Sequence, residues 1–236
     1  PTIGSMSRTP SEAIEPACPE ELLLKASRAK TPAVRARYAQ RALKLKGPIE
    51  PTTRAMLFRQ LYLVAMERQK FGEAEELAQA MLALDVLVDI AHQDAARACL
   101  GLKNLDGALG HLRLAARRGP ASRRAFHLSM LGALLYLNGR GQNALPTLEL
   151  AARWSTTDKP ICRAQLALAK HELGIAADED FEGLRRDLEQ SLHHRGYDEY
   201  LLGELCALLG DDDSAQRYFE SFVERTTSGR VALFIA

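Results

Sequence analysis

Aromatic side chains are scarce, 6% of the 236 residues with a single tryptophan, and β-branched residues are sparse. Strands favour those types, so their shortage argues against a sheet protein. No apolar run approaches the roughly 20 residues that a membrane-spanning helix needs, so no membrane span is expected. Net charge is only +1, which excludes the overall basicity of a dedicated nucleic-acid binder. The four cysteines, Cys18, Cys99, Cys162 and Cys206, stand far apart with neither a CxxC pair nor a Cys/His metal spacing. Reduced thiols packed inside helices suit a cytoplasmic protein. Pro1–Met6 reads as an appended leader before a start methionine, which leaves open a native leader removed at that point.

Catalytic and cofactor motifs are also missing. The chain carries no GxxxxGK[ST] phosphate loop, HExxH, GxSxG or Gly-rich turn between strand and helix, so neither enzyme nor cofactor is expected. Gly139-Arg140-Gly141 lacks the preceding strand of a nucleotide loop and reads as a turn between helices. The pair His193-His194 reads as a helix end complementing the negative pole rather than a metal site. His171-Glu172 is assigned no role. Asp178–Asp180 and Asp211–Asp213 lack calcium-loop spacing and read as caps of the helices that follow.

Alanine and leucine dominate what is present, within 47% hydrophobic and 26% charged residues. That composition excludes wholesale disorder and leans towards helix. Residues 1–60 hold 11 Lys/Arg against 5 Asp/Glu, whereas 121–236 hold 13 against 17. The imbalance fits oppositely biased solvated helix faces, or a basic docking face for an acidic partner. The stretch Arg113, Arg117, Arg118, Arg123, Arg124 reads as solvated helix ends around Gly119-Pro120, since no aromatics interleave for base stacking. No nucleic-acid contact is expected.

A repeat organises the rest. Leu61-Tyr62 … Phe71-Gly72-Glu73-Ala74 … Ala78 … Met81 aligns with Ala95-Ala96 … Leu105-Asp106-Gly107-Ala108 … Leu112 … Ala115. Both align with Leu131-Gly132 … Gly139-Arg140-Gly141-Gln142-Asn143-Ala144 … Leu148 … Ala151. Apolar spacing of 3.6 residues, as at Leu57, Leu61 and Val64/Ala65, makes the segments helices. Glycines are expected to end helices near Gly72, Gly107, Gly139, Gly174 and Gly210, and Pro19, Pro51 and Pro160 to start them. Residues 21–46 read as one further helix pair, followed by a long turn over 47–54.

The pattern resembles the tetratricopeptide repeat, a helix–turn–helix of about 34 residues. Leu131-Gly132, Leu135, Gly139, Ala144, Leu148 and Ala151 carry the likeness best, and Leu202-Gly203, Cys206, Gly210, Ala215, Phe219 and Phe222 form a recognisable last unit. The resemblance implies an all-α, right-handed superhelical solenoid of about five or six antiparallel helix pairs. The expected layout is a disordered or appended tail over 1–18, repeats over 19–227, and an apolar tail over 228–236.

The resemblance also implies a concave wall made by the first helix of each pair, where another protein or peptide binds. Residues of one phase then stack in rows: Met56, Ile90, Phe126, Ile161, Tyr197; Arg59, Gln93, Ser129, Ala164, Tyr200; Leu63, Arg97, Ala133, Leu168, Glu204; and Met66, Leu100, Tyr136, His171, Ala207. From these rows the candidate partner-binding residues are Met56, Arg59, Leu63, Ile90, Gln93, Arg97, Phe126, Ser129, Tyr136, Tyr197 and Tyr200. The first row is apolar and reads either as core or as a groove for a peptide. The family's clamp of Lys and Asn for a terminal carboxylate is not matched, because the wall offers Arg59, Leu63 and Arg97 but no Asn. Arg59 and Arg97 remain available to an acidic group of a partner. Val231–Ala236 is expected to dock as a lid on the last repeat, or in a groove of its own or a second chain. The expected role is a protein-interaction scaffold or adaptor, with the sensing portion of a regulator as the alternative.

Overall fold

Local chemistry explains many of the helix starts in the computed structural model, which describes residues 18–175, 179–191 and 196–225. Pro19, Pro32 and Pro51 open α1 (Pro19–Ser27), α2 (Pro32–Leu43) and α3 (Pro51–Glu67), and Pro160 is the second residue of α9 (Lys159–Glu172). A missing N–H costs nothing at these positions, because the first turn has no intrahelical acceptor for it. The turn expected over 47–54 is therefore shorter, since Pro51 already fixes a helical φ. Asn104 accepts the Gly107 N–H ahead of α6 (Leu105–Arg118), and Asp180 accepts the Gly183 N–H ahead of α10 (Phe181–Gln190). Asp211 does the same for Ser214 in α12 (Asp212–Arg225). The remaining helices are α4 (Phe71–Leu82), α5 (Val88–Gly101), α7 (Ala121–Leu137), α8 (Gly141–Trp154) and α11 (Tyr197–Leu208). Among the described residues there are these twelve helices, in six pairs, and no strand.

Five of the six pairs share one turn. In each, a left-handed residue follows the first helix, its N–H bonds the carbonyl three residues back, and the next N–H reaches five back. Gln69 and Lys70 bond Met66 and Ala65; Lys103 and Asn104 bond Leu100 and Cys99; Gly139 and Arg140 bond Tyr136 and Leu135. Gly174 with Ile175, and Gly210 with Asp211, repeat the pattern. This closes the orphan carbonyls of the helix end, and a glycine reaches the required positive φ without a Cβ clash. The φ values are 57° and 60° at Gln69 and Lys103, against 69°, 67° and 77° at the three glycines. Gly72 and Gly107 thus do not end the first helices as expected. They lie in the first turns of α4 and α6, and Gln69 and Lys103 take the left-handed position instead.

Small residues set the spacing within pairs. Ala74, Ala108 and Ala144 are fully buried, and a Cβ on Gly132 would stand 2.5 Å from Leu148 Cδ2. Gly203 is equally close to the Phe219 ring. The core follows the stack from unit to unit rather than filling one centre: Leu22, Ala39 and Leu57 at the front, Tyr62, Ala78 and Ala95 next, then Leu109, Leu131 and Leu148, and last Leu184, Leu201 and Leu205. Each unit buries its apolar stripe against its neighbours, as a solenoid requires. The tail Val231–Ala236, the pair His193-His194, Asp178 and residues 1–17 lie outside the described residues.

Candidate functional site

One register of the first helices carries a polar contact at two of the junctions between units. Arg59 on α3 donates from Nε to Asp94 on α5 at 2.8 Å, and Ser129 on α7 donates to Gln165 Oε1 on α9 at 2.6 Å. Arg59 and Ser129 share a row, and Asp94 and Gln165 each follow the next member of that row. The Asp94 side chain is wholly buried and its Oδ1 has no hydrogen-bond partner. Burial pushes the Asp94 carboxyl above its ordinary pKa, opposed by the charges of Arg59 and Arg97. Tyr62 donates its hydroxyl to the Asp94 carbonyl at 2.9 Å and locks the same junction.

A second buried carboxylate ties α5 to α7. Asp89 accepts two bonds from Arg123, at 2.7 and 2.9 Å, and lies 3.0 Å from His127 Nε2. Burial alone would raise its pKa, but the bonds and charge of Arg123 and His127 prevail and hold it at about 2. Arg123 is therefore a structural residue, contrary to its reading as one of a solvated run. Arg118 reaches Asp85, and Arg124 lies over the Trp154 ring at 6.0 Å. An exposed aromatic does stand beside the basic stretch, supplied by α8 and invisible in the stretch itself. On the neighbouring face His92 and His111 meet Nδ1 to Nδ1 at 3.0 Å. Burial lowers the pKa of both, that of His92 to about 4, with His111 and Arg118 adding to the effect there.

Towards the last repeats the first helices part to leave a cavity of about 430 Å³ between α7, α9 and α11. Its lining includes Tyr136, His171, Glu172, Tyr197, Tyr200 and Glu204. Gln165, which takes the Ser129 bond, passes its own Nε2–H to the Tyr197 hydroxyl at 2.9 Å. Three successive first helices are thereby linked through side chains. The Tyr197 ring stacks on Tyr200 at 5.8 Å and 17°, and Tyr200 rests on Phe219 and Phe222 at 6.0 and 5.7 Å. Burial keeps the Tyr200 hydroxyl protonated well above its ordinary range, and its hydrogen bond to Glu204 adds to this. His171 is held edge-on against Phe181 at 5.5 Å.

No family model and no curated protein matches this sequence. Solved structures do match. The apo form of RapI shares 15% identity and superposes with a TM-score of 0.62, over 92% of this chain and 85% of that one. TTC0263, a thermophilic TPR protein of Thermus thermophilus, shares 21% identity at a TM-score of 0.52, over 78% of this chain and 97% of its own. The chain has the tetratricopeptide-repeat (TPR) fold.

In the TPR stack the residues singled out from sequence divide sharply. Tyr136, Tyr197 and Tyr200 line the cavity together. Arg59 already holds an acidic group of its own chain, Asp94. Gln93 and Ser129 are buried, and the Ser129 hydroxyl is spent on Gln165. Leu63 packs on the Tyr62–Ala95 cluster, Met56, Ile90 and Arg97 are half-buried, and Phe126 is exposed. Glu172 and Gln165 were missed. His171 and Glu204 stand in the TPR rows but were not advanced as candidates. The signal was the phase itself: rows three and four, read on through α9 and α11, reach Glu204 and His171, and Glu172 is the next residue. Among the described residues no group of three or more His, Cys, Asp or Glu could hold a metal ion.

Proposed function

We propose that this chain is a binding module that takes a peptide segment of a partner protein along its first helices, with the cavity between α7, α9 and α11 as the specific pocket. One observation carries the reading: side chains from three different repeats converge on a preformed space of about 430 Å³, within the ~300–1,000 Å³ typical of ligand sites. That space takes one or two side chains rather than a folded domain, which suits a peptide. The role is scaffolding or adaptor binding without catalysis, with the repeats over 19–227 as one functional unit. Cytoplasmic placement fits the four free cysteines, three of them buried.

A photo-cross-linking residue at Ala207, on the rim, tests the reading. It should capture a protein from lysate of the source cells, through a short segment of that protein. Filling the cavity with Ala133→Trp should abolish capture while leaving the helical spectrum unchanged. Capture that survives the filled cavity, or that maps to the opposite face of α12, overturns the reading.

The alternative, the peptide- or signal-sensing part of a regulator, uses the same pocket. The chain of hydrogen bonds from Ser129 to Tyr197 favours it specifically, because it couples pocket geometry to the spacing of repeats.

A further inference from the structure

The chemistry of the cavity says more than that something binds. Its aromatic members are His171 and three tyrosines, and the tyrosine ring faces carry partial negative charge. Its charged members are two carboxylates, Glu172 and Glu204, and no Lys or Arg lines it. Neither glutamate takes part in any ion pair among the described residues. At other junctions between helices a carboxylate meets an arginine: Asp89 has Arg123, Asp94 has Arg59, and Asp211 has Arg185. Here an exposed Glu172 and a half-buried Glu204, the latter bonded only by the neutral Tyr200 hydroxyl, stand without a cation beside apolar walls formed by Ala133, Leu168 and Leu201.

The site is also held in shape. Tyr197 is fixed by Gln165, Tyr200 is wedged on Phe219 and Phe222, and the two rings stack on each other. Little ordering remains to be done when a ligand arrives. Ring faces flanked by carboxylates recognise cations, and planar rings with two carboxylates suit a guanidinium better than a point-like ammonium.

Resting on the reading of the groove as a peptide site, the geometry points to a subsite for an arginine side chain of the partner peptide, the guanidinium lying against the tyrosine rings and paired with Glu172 and Glu204. The aliphatic stem of that arginine lies along Leu168 and Ala133, and the peptide backbone continues along the groove. The arginine belongs to a peptide, because Phe126 stays exposed on α7 beyond the cavity and the half-buried Ile90 and Arg97 follow it on α5.

The probes are acetyl-Ala-Ala-Arg-Ala-Ala-amide and its citrulline twin, which keeps the shape and loses the charge, titrated against the full chain and followed by tyrosine ring resonances. The arginine peptide should bind about tenfold more tightly than the citrulline peptide and weaken with added salt. Glu172→Gln and Glu204→Gln should each cost it about three- to tenfold and leave the citrulline peptide unaffected. Tyr136→Leu, which keeps an apolar wall, should weaken the arginine peptide alone. Equal binding of both peptides, no shift in the tyrosine signals at millimolar peptide, or indifference to the two glutamate variants overturns the subsite. If the Ala207 cross-link is then still lost on filling the cavity, the groove reading stands and only the cation preference has failed. If the cross-link ignores the filled cavity while the arginine peptide behaves as stated, the peptide-groove role has failed and the cation subsite stands by itself.

Discussion

Two junctions occupy the same place in the repeat and are built from opposite materials. Between α3 and α5 the contact is a charged pair, Arg59 with a wholly buried Asp94. Between α7 and α9 it is neutral, Ser129 with Gln165, and continues to Tyr197 on α11. A buried charge demands a permanent partner, so the front junction is neutralised by a cation of its own chain, with Asp94 Oδ1 left without a hydrogen bond. A neutral amide tolerates partial satisfaction and leaves neighbouring groups free to face a ligand. The open cavity lies at the neutral end. What distinguishes a wall from a binding site in this stack is whether the polar register neutralises itself.

The largest test of that contrast is removal of the acceptor on each side. Asp94→Ala should cost about 3 kcal/mol in urea unfolding, at the low end for a buried pair because Arg59 reaches water. Gln165→Ala should cost about 1–2 kcal/mol. Equal costs would erase the distinction. Front and back differ also in the shared turn. Gly139→Ala, Gly174→Ala and Gly210→Ala meet no atom within 4 Å, so their expected loss of about 1–2 kcal/mol is backbone strain alone. Gln69→Gly and Lys103→Gly should instead leave stability unchanged or raise it by up to about 1 kcal/mol, read as melting temperature. A loss at those two positions would show that their side chains anchor the turn.

The smallest effect at neutral pH comes from the histidine pair of the front half. His92 titrates near 4 in the fold and near 6.5 unfolded, so the unfolded chain binds more protons between those values. The His92 contribution should lower stability as pH drops from 6.5 towards 4 and change no further below. His92→Gln should reduce that slope while changing little at pH 7.5, with Asp89, Arg118 and Glu75 as the charged neighbours that remain. Between about pH 4 and 2 a separate loss should follow protonation of Asp89, whose depressed pKa stabilises the fold only above that window. A wild-type profile flat from 6.5 to 4 would remove the pair from the account.

The repeat was legible because packing between units restricts residue size: Ala74, Ala108, Ala144 and Gly132 sit where a larger side chain would collide. Glycine marks only three of the five shared turns, because a well-bonded turn tolerates other residues at its left-handed position, as Gln69 and Lys103 show. Phase alone brought Tyr136, Tyr197 and Tyr200 to one place. It said nothing of which row members were already occupied, since the partners of Arg59 and Ser129 lie about 35 residues away and one position out of row. The exposed Trp154 beside Arg124 was hidden for the same reason, coming from the far end of another helix.

The link running Ser129–Gln165–Tyr197 has a mechanical meaning. Each of its three members belongs to a different repeat, and a solenoid bends by small changes in the spacing of repeats. Bending that spreads α7 from α9 must lengthen a 2.6 Å bond or rotate Gln165, and rotating Gln165 breaks its bond to the Tyr197 hydroxyl on the cavity floor. The floor of the pocket therefore behaves as a gauge of curvature. A ligand seated on that floor holds the last three repeats at one pitch, and a load that straightens the stack loosens whatever the pocket contains.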